Sequence, residues 1–182
     1  TQFRGVLGIA GSNWCLGTTP VRLVGMYPGT HARETPDKPA VVMAGSGEVV
    51  TYDELDRRSN QLAHYWRSIG LDVGDHVAVL AENHAMYHVI YWAALRSGLY
   101  LTAVNRYLSA EEAAYIINDS GSQSLITTAG LAGTAEAMLD LIPDCRDRLM
   151  LDGATDGFTD YSTAVSPMCC RSASIRSFRG TS

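Results

Sequence analysis

The sequence lacks several things that common functions require. It has one lysine, Lys38, set between prolines in Thr-Pro-Asp-Lys-Pro-Ala (35–40). A lysine that neutralises phosphate oxygens belongs at the end of a glycine-rich loop, where backbone amides and the ammonium act together. Lys38 has no such setting, so the chain shows no apparatus for a triphosphate. There is no Gly-x-Gly-x-x-Gly between a strand and a helix, and no Gly-x-Ser-x-Gly. No apolar run approaches the ~20 residues of a membrane span; the stretches 77–81 and 89–95 are short and interrupted. The four cysteines, Cys15, Cys145, Cys169 and Cys170, make no Cys-x-x-Cys pair and no even framework. That usage predicts free thiols in a reducing compartment, hence a cytoplasmic protein. The opening TQFRGVLGIAGSNWCLG has an arginine and a weak apolar stretch but no sustained apolar core, which argues against an export signal.

Carboxylates are absent before Glu34 and after Asp160. Residues 1–25 therefore carry +2, from Arg4 and Arg22, and residues 167–182 carry +3, from Arg171, Arg176 and Arg179. The centre, 26–166, holds nine of the fourteen Lys+Arg and all nineteen Asp+Glu, a net −10. An acidic centre excludes a nucleic-acid binder that tracks phosphates with a basic face. What is present is apolar: 46% hydrophobic residues suffice for a buried core.

Local patterns give the order of elements. Residues 1–25 are rich in Gly and Thr without periodicity and read as an irregular extension. THARETPDKPA reads as a helical turn and a Pro-bounded loop. AVVM (40–43) and EVVTY (48–52) read as a hairpin around Ala44-Gly45-Ser46-Gly47. Thr51 and Glu54 have capping-box spacing, and Leu55, Leu62, Trp66 and Ile69 mark one face of the helix that follows, with Gly70 placed to end it. A buried strand is expected at 76–81 and an apolar helix, covered by its neighbours, at 84–97, closed by Gly98. A strand is expected at 99–104, and a second capping box at Ser109 and Glu112 opens a helix to about Asp119. SLIT (124–127) reads as a strand. Ala135, Met138, Leu139 and Ile142 read as one helix face, and RLML (148–151) as the last strand. Strand and helix alternate. The pattern predicts an α/β fold with a mainly parallel sheet flanked by helices, and irregular ends. After Ser166 periodicity stops, and 167–182 reads as an unstructured tail.

Each candidate for chemistry competes with a structural role. His84 and His88 stand four apart on a helix and could face one metal. A zincin would need Glu at 85, where the chain has Ala85, and no third ligand is near, so packing histidines are the expected outcome. His64 and His76 have no pattern. Gly45 and Gly47, and Gly70 and Gly74, fit turns. LGTTP (16–20) lacks the Gly and Lys of a phosphate loop. Cys169-Cys170 could form a vicinal disulfide, a strained arrangement in an aperiodic context. No catalytic, cofactor-binding or metal residue is assigned from these patterns.

From Met26 to about Ser166 the sequence resembles the N-terminal part of the AMP-forming acyl-CoA synthetases, the adenylate-forming ligases, and looks most like the actinobacterial fatty-acyl-CoA ligases. The likeness rests on TPDKPAVVMAGSGEVVTYDEL (35–55), with its Thr-Tyr-x-Glu-Leu motif, and on SNQLAHYWRSIGLDVGDHVAVLAEN (59–83), with its Gly-Asp-x-Val-Ala strand. It continues through AALRSGLYLTAVNRYLSAEEAAYIINDSGSQSLIT (93–127) and PDCRDRLMLDG (143–153). The resemblance implies three parts: an extension over 1–25, the N-terminal part of an AMP-binding domain over 26–166, and a tail over 167–182. It implies that the full-length family activates a fatty or other carboxylic acid with ATP and Mg²⁺ to an acyl-adenylate and passes it to CoA. The family's Ser/Thr/Gly-rich loop ending in Lys-Gly, due where the chain turns to PMCCRSAS, is absent, as are its later aromatic-Thr-Glu segment, ribose-binding Asp, hinge and catalytic Lys. No family catalytic residue maps onto this sequence. The expectation is a truncated ligase that is inactive alone and needs no cofactor itself, its tail read out of frame. Two rivals stand beside it: a non-catalytic interaction or dimerisation module that self-associates through exposed apolar surface, and an independent flavodoxin-like nucleotide binder, disfavoured for want of a phosphate loop.

Overall fold

A computed structural model describes residues 27–165. The extension over 1–25, the LGTTP segment, the tail over 167–182, and Cys15, Cys169 and Cys170 lie outside the described residues.

Helix α1 (Pro28–Glu34) starts on a proline, whose missing N–H falls in a turn that has no partner for it. Strands β1 (Pro39–Val42) and β2 (Val49–Thr51) form the expected antiparallel hairpin. Helix α2 (Tyr52–Ser68) opens on the capping box that the spacing predicts. The Glu54 N–H donates to Thr51 Oγ1 at 3.3 Å, and the Thr51 N–H donates to Glu54 Oε2 at 3.1 Å. Leu55, Leu62 and Trp66 are buried on one face. Ile69 is not: it is the C-cap residue, and the left-handed turn at Gly70 (φ 98°) leaves it in solvent.

Strand β3 (His76–Leu80), helix α3 (Met86–Ser97), strand β4 (Tyr100–Val104), helix α4 (Ala110–Asp119) and strand β5 (Ser122–Thr128) follow. Then come α5 (Ala132–Ala137), β6 (Asp147–Leu151), β7 (Thr159–Asp160) and α6 (Tyr161–Val165). The five strands β3 to β7 form one parallel sheet in the order β4-β3-β5-β6-β7. Because side chains alternate along a strand, each buried strand feeds two cores. Val77, Val79, Ile126, Leu149 and Leu151 pack with α2, α3 and α6. Ala78, Leu80, Leu125 and Met150 pack with α4 and α5. Apolar residues on both faces explain why the strands read as continuous hydrophobic runs.

Three further expectations need correction. The face of Ala135, Met138, Leu139 and Ile142 does not lie on one helix. Helix α5 stops at Ala137, and a 3₁₀ turn (Leu139–Leu141) follows before Pro143; Ala135, Met138 and Ile142 still reach the core. The strand at 148–151 is not the last, since β7 and α6 continue the layer. Helix α3 is not covered all round, because Tyr91 and Leu95 are 42% and 50% exposed.

Two polar assemblies tie helices to the sheet and to each other. The Trp66 indole N–H donates to Ser124 Oγ at 3.0 Å, Ser124 donates to Asp147 Oδ2 at 2.6 Å, and Tyr65 donates to Asp147 Oδ1 at 2.6 Å. Burial pushes the Asp147 carboxyl up from its ordinary range, while the two hydroxyl donors pull it back. The Tyr65 phenol is raised by its own burial and by the Asp147 hydrogen bond and charge. Between helices, Arg96 on α3 has a side chain 7% exposed; it pairs with Asp56 on α2 at 2.9 Å and hydrogen-bonds Asn60. Its guanidinium also lies 5.2 Å from the centroid of the Tyr27 ring.

Cys145 is buried, and burial pushes its thiol up to about 12. An unfolded thiol titrates near ~8.5. The folded pKa is the higher one, so this thiol's stabilising contribution is complete below pH ~8.5 and is lost as pH rises from there towards 12. With Cys15, Cys169 and Cys170 changed to Ser, Cys145 should react with a thiol reagent at pH 8 only after denaturant is added. Rapid labelling of the folded chain would show that the thiol is open to solvent.

Candidate functional site

Parallel sheets with helices on both faces bind ligands beyond the carboxyl ends of their strands, where the strand order reverses. Here the reversal lies between β3 and β5. The chain leaves β3 for β4 on one side and returns to β5 on the other. The loops at this point are 81–85 after β3, 105–109 after β4 and 129–131 after β5.

These loops close on one another. The Glu82 carboxylate lies against Gly130, where a Cβ would collide with it. Arg106 pairs with Glu82 Oε1 at 3.2 Å, and its guanidinium lies 4.5 Å from the centroid of the Tyr107 ring. The hydroxyls of Thr127 and Thr128 at the end of β5 are buried and have no hydrogen-bond partner. The reversal point is thus occupied by the chain's own ion pair.

His84 serves the start of α3. Its Nδ1 accepts the Met86 N–H at 3.1 Å, which assigns the ring proton to Nε2, and Nε2 faces Asp152 Oδ2 at 2.9 Å. The imidazole therefore substitutes for a capping side chain and links the loop after β3 to the loop after β6. Asp152 itself sits at φ 62°, in the left-handed region that Asp tolerates better than most residues.

His84 also divides two clefts. One, of about 510 Å³, is lined by Arg57, Arg58, Gln61, Asp152 and Tyr161 as well as His84. The Tyr161 hydroxyl has no partner, and burial raises its pKa. The other, of about 410 Å³, is lined by Met43, Glu82, His84, Tyr87 and His88 among others. The charges in the first cleft are largely used: Arg58 pairs with Glu54 at 3.4 Å, and Asp160 accepts from Ser162 and Thr163 at the start of α6.

The residues singled out by sequence fall as follows. His84 has both ring nitrogens engaged, so the His84 and His88 pair does not present two free imidazoles. Among the described residues no three His, Cys, Asp or Glu side chains come together in a way that could hold a metal. His76 stacks on Tyr100 across β3 and β4, with ring centroids 4.9 Å apart, and His64 is exposed on α2. Gly45 and Gly47 lie in the hairpin turn, and Gly70 and Gly74 follow α2; Gly47, Gly70 and Gly74 all have positive φ. Lys38 leads into β1, where its backbone N–H donates to Thr35 O at 3.2 Å and its carbonyl accepts from Tyr52 at 3.1 Å.

A triphosphate with its metal needs free cations and a carboxylate set facing one point. The described residues do not fit it: Lys38 sits at the hairpin, Arg106 and Arg58 are paired, Arg57 is the single unpaired cation lining the first cleft, and no metal-ligand cluster exists among the described residues. What sequence reasoning missed were the pairs His84 with Asp152, Arg106 with Glu82, and Tyr65 with Asp147. Their partners lie 68, 24 and 82 residues apart, beyond any local spacing rule.

Residues 29–166 match the AMP-binding enzyme family. Among curated proteins, the chain is 36% identical over 108 residues to the fatty acid–[acyl-carrier-protein] ligase ScoC of Streptomyces coeruleorubidus, covering 59% of this chain and 20% of that protein. It is 34% identical over 119 residues to a long-chain-fatty-acid–CoA ligase of Escherichia coli, covering 65% of this chain and 21% of that one. The chain therefore spans about a fifth of the length of these relatives. In fold it is similar to a mutant form of coronafacic acid ligase from Pectobacterium brasiliense, with a TM-score of 0.70 at 17% identity, over 77% of this chain and 28% of that one.

Proposed function

Because the chain belongs to the AMP-binding enzyme family, whose match covers residues 29–166, we propose that it is the N-terminal part of an acid–thiol ligase whose whole reaction activates a fatty or other carboxylic acid. In that reaction ATP and Mg²⁺ would supply the adenylate and CoA or a carrier-protein thiol would receive the acyl group. The observation that supports this reading is the sequence match to two relatives named as fatty-acid ligases, beside a fold shared with a coronafacic acid ligase. Those two relatives share the fatty acid and differ in the thiol, so the acid is the better supported half of the reaction. A cytoplasmic location fits a reaction that draws on ATP and CoA.

The 182-residue chain alone does not carry the chemical step in this proposal. Adenylation requires positive charge at the α-phosphate as the nucleophile attacks. Arg58 and Arg106, which stand at the cleft and at the reversal point, are held in ion pairs, and the sequence contains no glycine-rich loop ending in lysine. The contribution of this region is scaffold: a rigid parallel sheet against which the rest of a ligase packs. Incubating the purified chain with ATP, Mg²⁺ and a fatty acid should yield no acyl-adenylate above the protein-free control. Turnover that scales with protein and survives repurification would overturn the proposal. The tail belongs to the same proposal as an out-of-frame segment. A Ser-Gly-Thr-Thr-Gly-like loop in another frame within a few dozen codons of residue 166 supports it, and its absence there defeats it.

A further inference from the structure

The sheet has two unlike edges. Strand β7 is two residues long and ends in Asp160. Strand β4 is five residues, Tyr-Leu-Thr-Ala-Val, with no charge, no proline and no bulge in its register with β3. Short strands, charges, prolines and bulges are the devices that keep an edge from pairing, and β4 has none of them.

The free groups on β4 follow from its ladder. The Tyr100 N–H donates to Asp75 O at 2.9 Å, and Tyr100 registers with His76. In a parallel ladder alternate residues face the same neighbour, so Tyr100, Thr102 and Val104 bond towards β3. The N–H and C=O groups of Leu101 and Ala103 point away from it, and no described strand pairs with that side. We propose that β4 pairs antiparallel with β4 of a second copy of this chain, about a two-fold axis through Thr102, giving one ten-stranded sheet.

The strand is complementary to itself in that register. Leu101 of each copy meets Ala103 of the other in a hydrogen-bonded pair, so all four outward groups on each strand find partners. Thr102 meets Thr102 at the axis, and Tyr100 meets Val104, an aromatic beside a β-branched residue; both are favourable cross-strand pairs. Beyond the strand, Arg106 comes opposite Gly98 of the second copy. Gly98 lies under the turn that carries Asp72 and Asp75: its carbonyl accepts from Gly74 at 2.9 Å, and Val73 packs over it. Arg106, paired with Glu82 of its own chain, thus faces a turn with two carboxylates, of which Asp72 is paired with Arg67. Tyr100, on the strand itself, is 62% exposed and adds apolar surface at this edge. The inference does not depend on the ligase reading, since it concerns association and not chemistry.

The test uses the full chain in light scattering coupled to size exclusion across a range of concentrations. The expected species has twice the 19.7 kDa of one chain. Thr102→Lys and Thr102→Asp each place like charges at the axis and should each give a monomer. Mixing the two variants should restore a dimer. A wild-type chain that stays monomeric throughout, or a dimer untouched by either substitution, overturns the proposal. Hydrogen exchange on the wild type covers the case in which a variant fails to fold. Protection of the Leu101 and Ala103 amides should rise with protein concentration, and exchange that is fast at every concentration overturns it equally.

Discussion

Replacing Trp66 by Ala should lower the unfolding free energy by about 4 kcal/mol, within the ~3–5 kcal/mol range for emptying a buried aromatic site. Trp66 has no exposed surface and is among the largest fully buried side chains of the structure. Its ring sits in the core shared by α2, α3 and the sheet, and its N–H satisfies Ser124. The truncation therefore removes packing, opens a cavity and takes away one donor. Trp66→Phe retains most of the ring and forgoes the hydrogen bond, so its loss should be smaller, about 1–2 kcal/mol, from a lost partner and some lost volume. Urea unfolding followed by circular dichroism measures both. A loss below ~2 kcal/mol for the Ala variant would mean that the site collapses around the gap.

The next largest effect is expected at Arg96. Removing one member of a buried ion pair strands the other, and such losses run to ~3–5 kcal/mol for fully buried pairs. Asp56 keeps a 26% exposed side chain, so water relieves part of the penalty, and about 2–3 kcal/mol is expected for Arg96→Ala. The double variant Arg96→Ala/Asp56→Ala should lose clearly less than the sum of its two single variants, because no charge is left unpaired. Strict additivity in that cycle would show that Arg96 acts through its aliphatic stem and its stacking on Tyr27 rather than through charge.

Much of the architecture was legible because its causes are local. Thr51 with Glu54, and Ser109 with Glu112, are signals three residues wide, and both capping boxes form. The Leu55, Leu62 and Trp66 stripe and the αL turn at Gly98 are local in the same way. Where the reading failed, the decisive contact was distant or the element was short. Ile69 fits the stripe by spacing, but the helix ends beneath it. The helical spacing of Ala135, Met138 and Ile142 survives a break into a 3₁₀ turn, because burial constrains where side chains point and not which helix carries them. Strand β7 has two residues, too few to show a period. The candidate site was nearly invisible. His84 looks like half of an i, i+4 pair with His88, whereas its functioning partner, Asp152, arrives from another crossover.

The strand order carries a consequence for how the chain is made. Ribosomes deliver residues N-terminus first, at ~5–20 per second. Strand β3 emerges before either of its neighbours, can pair with β4 through one crossover, and then waits for β5. Its other side stays bare until Ser122–Thr128 has been synthesised, and the Trp66 indole waits with it for Ser124. During that interval the apolar side chains that β5 covers in the complete sheet have no strand beside them. A chaperone that shields apolar surface would be needed most then, and a pause in translation just before β5 would do the greatest harm.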